Sequence, residues 1–284
     1  MTNEAYTTKY HSGLKGPQNG PLSLSLLVGQ STFMFAIFSE NNTRCIELAH
    51  VQINTNSSHT ELSDSSAFLI NNFLLHQKKF DKVQLSLLSA DFTMVPLAFS
   101  QNPDLKPFLK LNTGVSDAGA TRNHNLNGLN FSFAINHLFL ANMESAFRNI
   151  SIRHAGATSI NLLLNHHSLQ NTQLFLNIHD SSVELALKEN NILVFYNNFS
   201  YENNEDILYY LLFTMEQFEL NPLYIKLSIG GQVEVSGDLV KSIKRYVKQV
   251  SFCVHHSSIK LDGDLASLPH HYYFTLLNQH LCEL

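Results

Sequence analysis

A chain of 284 residues, 44% hydrophobic and only 14% charged, holds enough apolar matter for two ordinary domains, each with its own core. A formal net charge of −5 argues against nonspecific binding of nucleic acid, which needs a broadly basic surface. Cys45, Cys253 and Cys282 are too few and too far apart for a disulfide framework or a CxxC zinc site, so reduced thiols and a cytoplasmic location are expected.

Residues 1–21 are polar and lack an apolar core behind a basic start, so they read as a flexible N-terminal arm and not as a signal peptide. Strand-like runs follow at Leu22–Val28, Thr32–Phe38 and Arg44–Ile53, the first with apolar residues at every second position. The cluster Glu40-Asn41-Asn42-Thr43 marks a hairpin loop. Helical spacing runs through Ser65–Phe80, with Asp64 or Ser65 as N-cap, and Val83–Leu88 is a short buried strand. Asn112–Gly128 is expected to be an exposed polar loop. Then come a strand at Leu129–Ile135, a helix at Asn136–Arg148, a strand at Ile150–His154 and a helix at Ala157–His167, with a hinge at Ser168–Gln173.

The second half repeats the first. Leu24 to Ile37 returns as Leu174 to Leu187: an alternating apolar strand, a turn of small polar residues, and a second strand containing an Ala-aliphatic pair. Ile192–Phe199, the helix Glu205–Phe218 and the strand Leu223–Ile229 then restate strand, helix, strand. Such a repeat predicts an α/β protein of two similar domains, 22–168 and 169–284, each a mixed sheet with packed helices.

A duplicated three-strand-then-helix domain opened by a small-residue hairpin turn resembles the actin, sugar-kinase and chaperone ATPase superfamily, with its RNase H-like domains. The run Phe131–His167, with its Gly156-Ala157 break, is similar to the bacterial actin homologues of cell division and type IV pilus assembly. Phe92-Thr93-Met94-Val95-Pro96, followed by Leu105 and Phe108 to Asn112, resembles a block of an uncharacterised bacterial family with a degenerate actin-like fold. In the ATPase members each hairpin turn carries an Asp-x-Gly-Thr/Ser motif. Its backbone N–H groups close on phosphate, and its Asp positions magnesium or the attacking water. Here the first turn reads Leu27-Val28-Gly29-Gln30-Ser31 and the second Asn177-Ile178-His179-Asp180-Ser181, so both acids are missing and one glycine is a histidine. Leu227-Ser228-Ile229-Gly230-Gly231 matches the apolar strand and Gly-Gly of the adenine site, a pattern that also serves any tight strand exit.

The remaining motifs favour structural roles. The pairs His166-His167, His255-His256 and His270-His271 diverge along a helix or strand and do not make a ligand set by themselves. No nucleophile elbow, phosphate loop or dinucleotide fingerprint occurs. Tyr209-Tyr210 and Tyr272-Tyr273-Phe274 sit in apolar helical patterns and read as core. Lys241, Lys244, Arg245 and Lys248 read as the solvated face of a helix.

The reading is a cytoplasmic, catalytically silent pseudoenzyme of this superfamily. It would have no cofactor, no metal, no membrane span and no nucleic acid, and would bind a protein partner near the 112–128 loop. The alternative is a weak adenine-nucleotide-binding ATPase or kinase using ATP with magnesium in an interdomain cleft. Gly29, Gln30, Ser31 and Thr32 would hold phosphate in that case, with Asp180, Ser181 and Ser182 facing them, Gly230 and Gly231 passing the adenine, and Asp180 as the one acid able to act.

Overall fold

The computed structural model describes residues 6–12, 20–39, 42–53, 62–99, 105–114, 119–126, 128–165 and 171–281. Two compact units emerge: Met1–Thr158 with Ser257–Ser267 and Gln279–Leu284, and Ser159–His256 with Leu268–Asn278. The sequence suggested one change at 168/169; the units divide at 158/159, and the C-terminal stretch returns in part to the first unit. His166, His167 and Cys282 lie outside the described residues, as do 168–170 of the expected hinge.

In the first unit, β1 (Tyr6–Ser12), β2 (Ser23–Val28), β3 (Thr32–Ser39), β4 (Arg44–Ile53) and β5 (Lys82–Leu87) precede β9 (Ile150–His154) in one sheet, ordered β1-β4-β3-β2-β5-β9. The antiparallel pairs β2·β3 and β3·β4 come from short connections, whereas β5 joins β2 in parallel after helix α1 (Leu62–Asn72). Inserted after β5 are β6 (Phe92–Pro96), helix α2 (Lys106–Thr113), β7 (Gly119–Leu126) and β8 (Leu129–Asn136), the strands forming a separate sheet in the order β6-β8-β7. Helix α3 (His137–Ala146) returns the chain to β9, and Asn136 caps it by accepting from the Leu138 and Phe139 amides. Helix α4 (Ala155–Asn165) follows.

The second unit repeats this frame: β10 (Thr172–Ile178), β11 (Ser182–Glu189), β12 (Ile192–Ser200), helix α5 (Asn204–Gln217), β13 (Lys226–Gly231), helix α6 (Asp238–Tyr246) and β14 (Gln249–Phe252). Its sheet runs β12-β11-β10-β13-β14, the order of β4-β3-β2-β5-β9. Both copies carry a β-bulge at matching points, between Ile37 and Phe38 and between Leu187 and Lys188. Helix α5 starts in a capping box of Asn203 and Asp206 and buries Ile207, Leu211 and Met215 against Leu174, Leu176 and Leu227. After β14 come β15 (Lys260–Leu261), which joins the first unit beside β4, and helix α7 (Phe274–Asn278) in the second unit.

Several expectations need correction. Tyr6–Ser12, assigned to a flexible arm, is a strand paired with β4 over seven residues; its side chains are mostly exposed and show no alternation, so the backbone makes most of the attachment. Gly119–Leu126, expected as loop, is β7, held antiparallel to β8 for the same reason. Helix α1 opens at Leu62, ahead of the expected caps, so Asp64 and Ser65 lie inside it. It does not reach Phe80: Leu74, at φ 52°, takes a left-handed conformation that an α-helix cannot continue through. Leu223–Ile225 precede β13 instead of beginning it.

The first unit also recruits its C-terminal residues. Gln279, 1% exposed, accepts from the Ser86 hydroxyl at 2.6 Å on β5 and donates to the Leu26 carbonyl at 3.1 Å on β2. Gln279→Leu leaves these buried groups without that amide, and a loss of about 1–3 kcal/mol in urea-derived unfolding free energy is expected.

Candidate functional site

Each hairpin turn sits at the C-terminal end of the central parallel strand pair, where open α/β sheets place their ligands. The two turns are built alike. In the first, the Gly29 amide donates to the Thr32 carbonyl at 2.8 Å, Ile53 to Ser31 at 2.8 Å, and Leu88 to Val28 at 2.7 Å. In the second, His179 donates to Ser182 at 2.9 Å, Tyr201 to Ser181 at 3.2 Å, and Gln232 to Ile178 at 2.7 Å. The Gly29 and His179 amides are therefore spent closing their own turns. Neither residue has a positive φ, so the side chain at 179 meets no backbone strain; Gly29 is small because a Cβ there would lie 3.2 Å from the Leu88 Cβ.

The units differ in the cross-strand pair behind the turn. In the first, Leu27 faces Met34, both buried and apolar. In the second, the same register position pairs Asn177 with Glu184. Glu184 is 0% exposed, and four side chains converge on it. Its Oε2 accepts from the Asn177 amide at 2.7 Å, the Ser159 hydroxyl at 2.8 Å and His179 Nε2 at 2.9 Å. Its Oε1 accepts from the Tyr196 hydroxyl at 2.8 Å. The second Asn177 proton goes to Thr275 Oγ1 at 3.0 Å, and since Ser159 already donates to Glu184, Thr275 donates to Ser159 across 3.3 Å. With both Asn177 protons used, His179 Nε2 carries its own and gives it to the carboxylate.

This wiring explains the electrostatics. Burial pushes the Glu184 carboxyl up, but the His179 imidazole and the Asn177 and Ser159 donors outweigh it and hold the group below its ordinary value. Burial and the neighbouring Glu184 charge drive the Tyr196 phenol well above its ordinary value, so it stays a donor. Because the carboxyl is depressed in the fold, the network stabilises above the unfolded-state carboxylate value and loses that contribution as pH falls through the folded one.

The remaining residues named from the sequence divide. Gln30 and Ser181 are exposed at the turn tips, Ser31 and Asp180 half-exposed, and Thr32 and Ser182 buried with no hydrogen-bond partner for either hydroxyl among the described residues. Burial and the Asp180 charge push Tyr201 and Tyr273 up to about 12, and the Tyr201 hydroxyl lies 3.3 Å from the Asp180 carbonyl oxygen. Gly230 and Gly231 are buried and paired with Asn177 and Ile178 on β10. Gly231, at φ +88°, has the Ile178 carbonyl oxygen 2.0 Å from where a Cβ would stand, and a Cβ on Gly230 would meet Asn177 Oδ1 at 3.1 Å and Phe274 at 3.5 Å. The Gly-Gly pair is thus demanded by strand packing, whatever else it does. The histidine pairs meet across the chain: His270 Nδ1 lies 3.0 Å from His255 Nε2, yet no group of three or more metal-ligating residues occurs among the described residues. Of the tyrosine pair read as core, Tyr209 is instead exposed. The lysines and arginine at 241–248 are exposed as expected.

A magnesium-bound phosphate needs a carboxylate aimed into an open turn and free backbone amides. These turns offer an apolar Leu27, an amide at Asn177 already donating twice, and a carboxylate sealed under four donors. The donor set at the motif's own positions does not fit that group, and the half-exposed acid of the second turn is Asp180. A groove of about 600 Å³ in the first unit, lined by His76, Lys78, Lys79 and Arg148 among others, lies beside the start of β5, the opposite end of the strand from the turn.

The class of fold is that of the actin-like ATPases. A solved protein of Bacteroides thetaiotaomicron with an actin-like ATPase fold and unknown function matches with a TM-score of 0.72 and 17% identity, over 84% of this chain and 93% of its own. A chain of the PilM–PilN type IV pilus biogenesis complex matches at 0.62 and 13%, over 93% of this chain and 99% of its own. The ethanolamine utilization protein EutJ of Carboxydothermus hydrogenoformans matches at 0.50 and 8%, over 94% and 91%. No curated protein matches the chain. Residues 16–250 match the model of a family described as a protein of unknown function, DUF3822, and the chain belongs to that family.

Two substitutions test the second turn, one its buried network and one its strand packing. Asn177→Asp, which supplies the acid of the ATPase motif, sets a second carboxylate against Glu184. One of the two must then bind a proton more tightly folded than unfolded, so the variant loses stability above the ordinary carboxylate range and recovers it below. Urea titrations at pH about 7 and about 4 should show the deficit shrink with acid. Gly231→Ala combines a forced φ with overpacking and should cost about 2–6 kcal/mol by the same measurement.

Proposed function

We propose that this protein is a catalytically silent member of the actin-like superfamily that acts in the cytoplasm by binding another protein. One observation carries the reading: the residues standing at the second phosphate turn, Asn177 and His179, are consumed in hydrogen bonds to the buried Glu184. The apolar Leu27–Met34 pair at the first turn supports it independently. The similarity to a chain of a complex named for two proteins, PilM and PilN, agrees with a partner-binding role. Among the described residues no helix is long and apolar enough to cross a membrane.

The competing reading, a weak ATPase or kinase, draws on the half-exposed Asp180 beside Ser181 and on the hydroxyls of Thr32 and Ser182, which have no hydrogen-bond partner among the described residues. Thermal melting separates the two. A nucleotide bound to the native state at a hundredfold excess over its dissociation constant adds about 2.7 kcal/mol and must raise the midpoint. The proposal expects no shift with ATP, ADP or GTP at millimolar concentration, with or without magnesium. A magnesium–ATP shift abolished by Asp180→Ala would establish the enzyme reading.

A further inference from the structure

The duplication allows one half of the molecule to be checked against the other, and the two differ at one sheet edge. In the first unit, β4 is covered along its outer side. β15 pairs with Arg44 and Cys45, and β1 pairs with Glu47 through Ile53, the seven residues beyond the bulge. The equivalent strand is β12. Matching the bulges sets Cys45 against Leu193 and Glu47 against Phe195. The matching hydrogen bonds of Ile53 to Ser31 and Tyr201 to Ser181 fix the other end. Phe195–Tyr201 is therefore the stretch that β1 covers in the first unit. In the second unit β12 ends its sheet, and among the described residues no strand lies beyond it.

An edge strand without protection is a template for another chain, and proteins blunt such edges with lysine, proline or inward charges. Residues Ile192 to Ser200 contain none of these. Beside the edge stands a shelf of aromatic rings. Phe199 stacks on Tyr210 of α5 at 4.4 Å, Tyr210 meets Tyr209 edge-on at 5.7 Å, and Tyr209 stacks on Phe213 at 5.7 Å. Tyr209 and Phe213 are 60% and 47% exposed. The first unit shows what such a shelf does: Tyr6 of β1 stacks on Phe68 of α1 with ring centres 5.3 Å apart. Lys188 of β11, which pairs with Leu193, is buried and spends its ammonium on the Leu163 carbonyl at 2.8 Å; between it and Lys226 every charged residue is an acid. From residue 189 to residue 225 the chain carries Glu189, Glu202, Glu205, Asp206, Glu216 and Glu219 and no lysine, arginine or histidine. A second copy of β12 would bring these acids against themselves, so the edge disfavours self-pairing.

We infer that the outer edge of β12, with the Tyr209–Phe213 shelf, is a docking site for an extended, basic, aromatic-bearing segment of a partner protein, added as an antiparallel strand as β1 is added to β4. The outward-facing backbone of Tyr196, Asn198 and Ser200 supplies the pairing, the incoming strand taking the place of Asn197 Oδ1 on the Asn198 amide and of the Tyr210 hydroxyl on the Ser200 carbonyl. The shelf takes an aromatic side chain, and the acidic rim selects basic flanks. The inference rests on the partner-binding reading proposed above and names the partner's chemistry.

The test uses the full chain and a fluorescein-labelled peptide, Lys-Lys-Tyr-Thr-Val-Tyr-Thr-Lys, in an anisotropy titration at low salt, with a control peptide carrying glutamate for every lysine. Saturable one-to-one binding is expected for the basic peptide, at least about tenfold weaker for the acidic one. Tyr209→Ala, an exposed position that leaves folding intact, should weaken it at least about fivefold. The antiparallel alternation that sends the Tyr201 amide to β11 turns the Ser200 amide outward, so Ser200→Pro removes an edge donor and should weaken binding likewise. Hydrogen exchange should show the amides of 196–200 slowed by the peptide in the wild-type chain. No saturable binding, equal binding of both peptides, or binding indifferent to Tyr209→Ala and Ser200→Pro would overturn the inference. Concentration-dependent dimerisation in sedimentation, lost in Ser200→Pro, would also overturn it, by giving the edge to a second copy. If the peptide fails while nucleotides leave the melting midpoint unmoved, the docking site is wrong and the partner-binding reading stands; a nucleotide shift removes that reading itself.

Discussion

One carboxylate ties the second unit together. Glu184 on β11 has no exposure to water, so its charge is tolerable only because Asn177 and His179 from β10 and its turn, Tyr196 from β12 and Ser159 from α4 each give it a hydrogen. Thr275 of α7 closes the circuit through Asn177 and Ser159. Five elements thus share one electrostatic obligation, and breaking any strand of it leaves a buried charge short of a partner. Such a network fixes a single arrangement more firmly than an apolar core of the same volume, which can repack.

The same register position in the first unit is filled by Leu27 and Met34. Two solutions to one packing problem, one apolar and one polar, stand at the points where the superfamily's motif carries its acids. Either solution satisfies the strand ends without a ligand. The hairpin turns nonetheless keep matching backbone hydrogen bonds in both units, so the frame persists where the side-chain chemistry has changed. The unequal cover of the two edge strands has a similar logic. A duplicated sheet makes two equivalent edges, and the added strand at β4 has no counterpart at β12 among the described residues, the difference on which the proposed docking rests.

Much of this was legible along the chain. The 14-residue repeat from Leu24 and from Leu174, the period-two alternation of β2 and β10 and the helical spacing of α5 depend on local burial, and local burial writes itself into residue order. The absence of an acid at Leu27 and at Asn177 was equally plain. The errors fell where side chains do not announce structure. β1 and β7 are polar strands held by backbone pairing at sheet margins, and α1 stops at Asn72, short of Leu74 and its left-handed backbone, a conformation that no residue type there predicts. Glu184 carried a signal that reading by motif passed over: an acid in the middle of Val183 to Leu187, a run otherwise wholly apolar, and aligned by the repeat with a methionine.

The sequence by itself determined that the chain holds two copies of one α/β unit, that Leu27 and Asn177 stand where the resembled motif has its acids, and that the net charge is −5 with three widely spaced cysteines, because each of these is a property of residue identity and spacing. Only the tertiary structure decided that Asn177 and His179 serve a buried carboxylate, that Gly230 and Gly231 are small because β10 presses against them, and that β4 is paired along its outer side while, among the described residues, no strand lies beyond β12. Those facts join residues far apart in the chain, such as Ser159 with Glu184 and Thr275, or Tyr6 with Ile53, and no pattern along the chain records which distant backbone or side chain comes to stand within hydrogen-bonding reach.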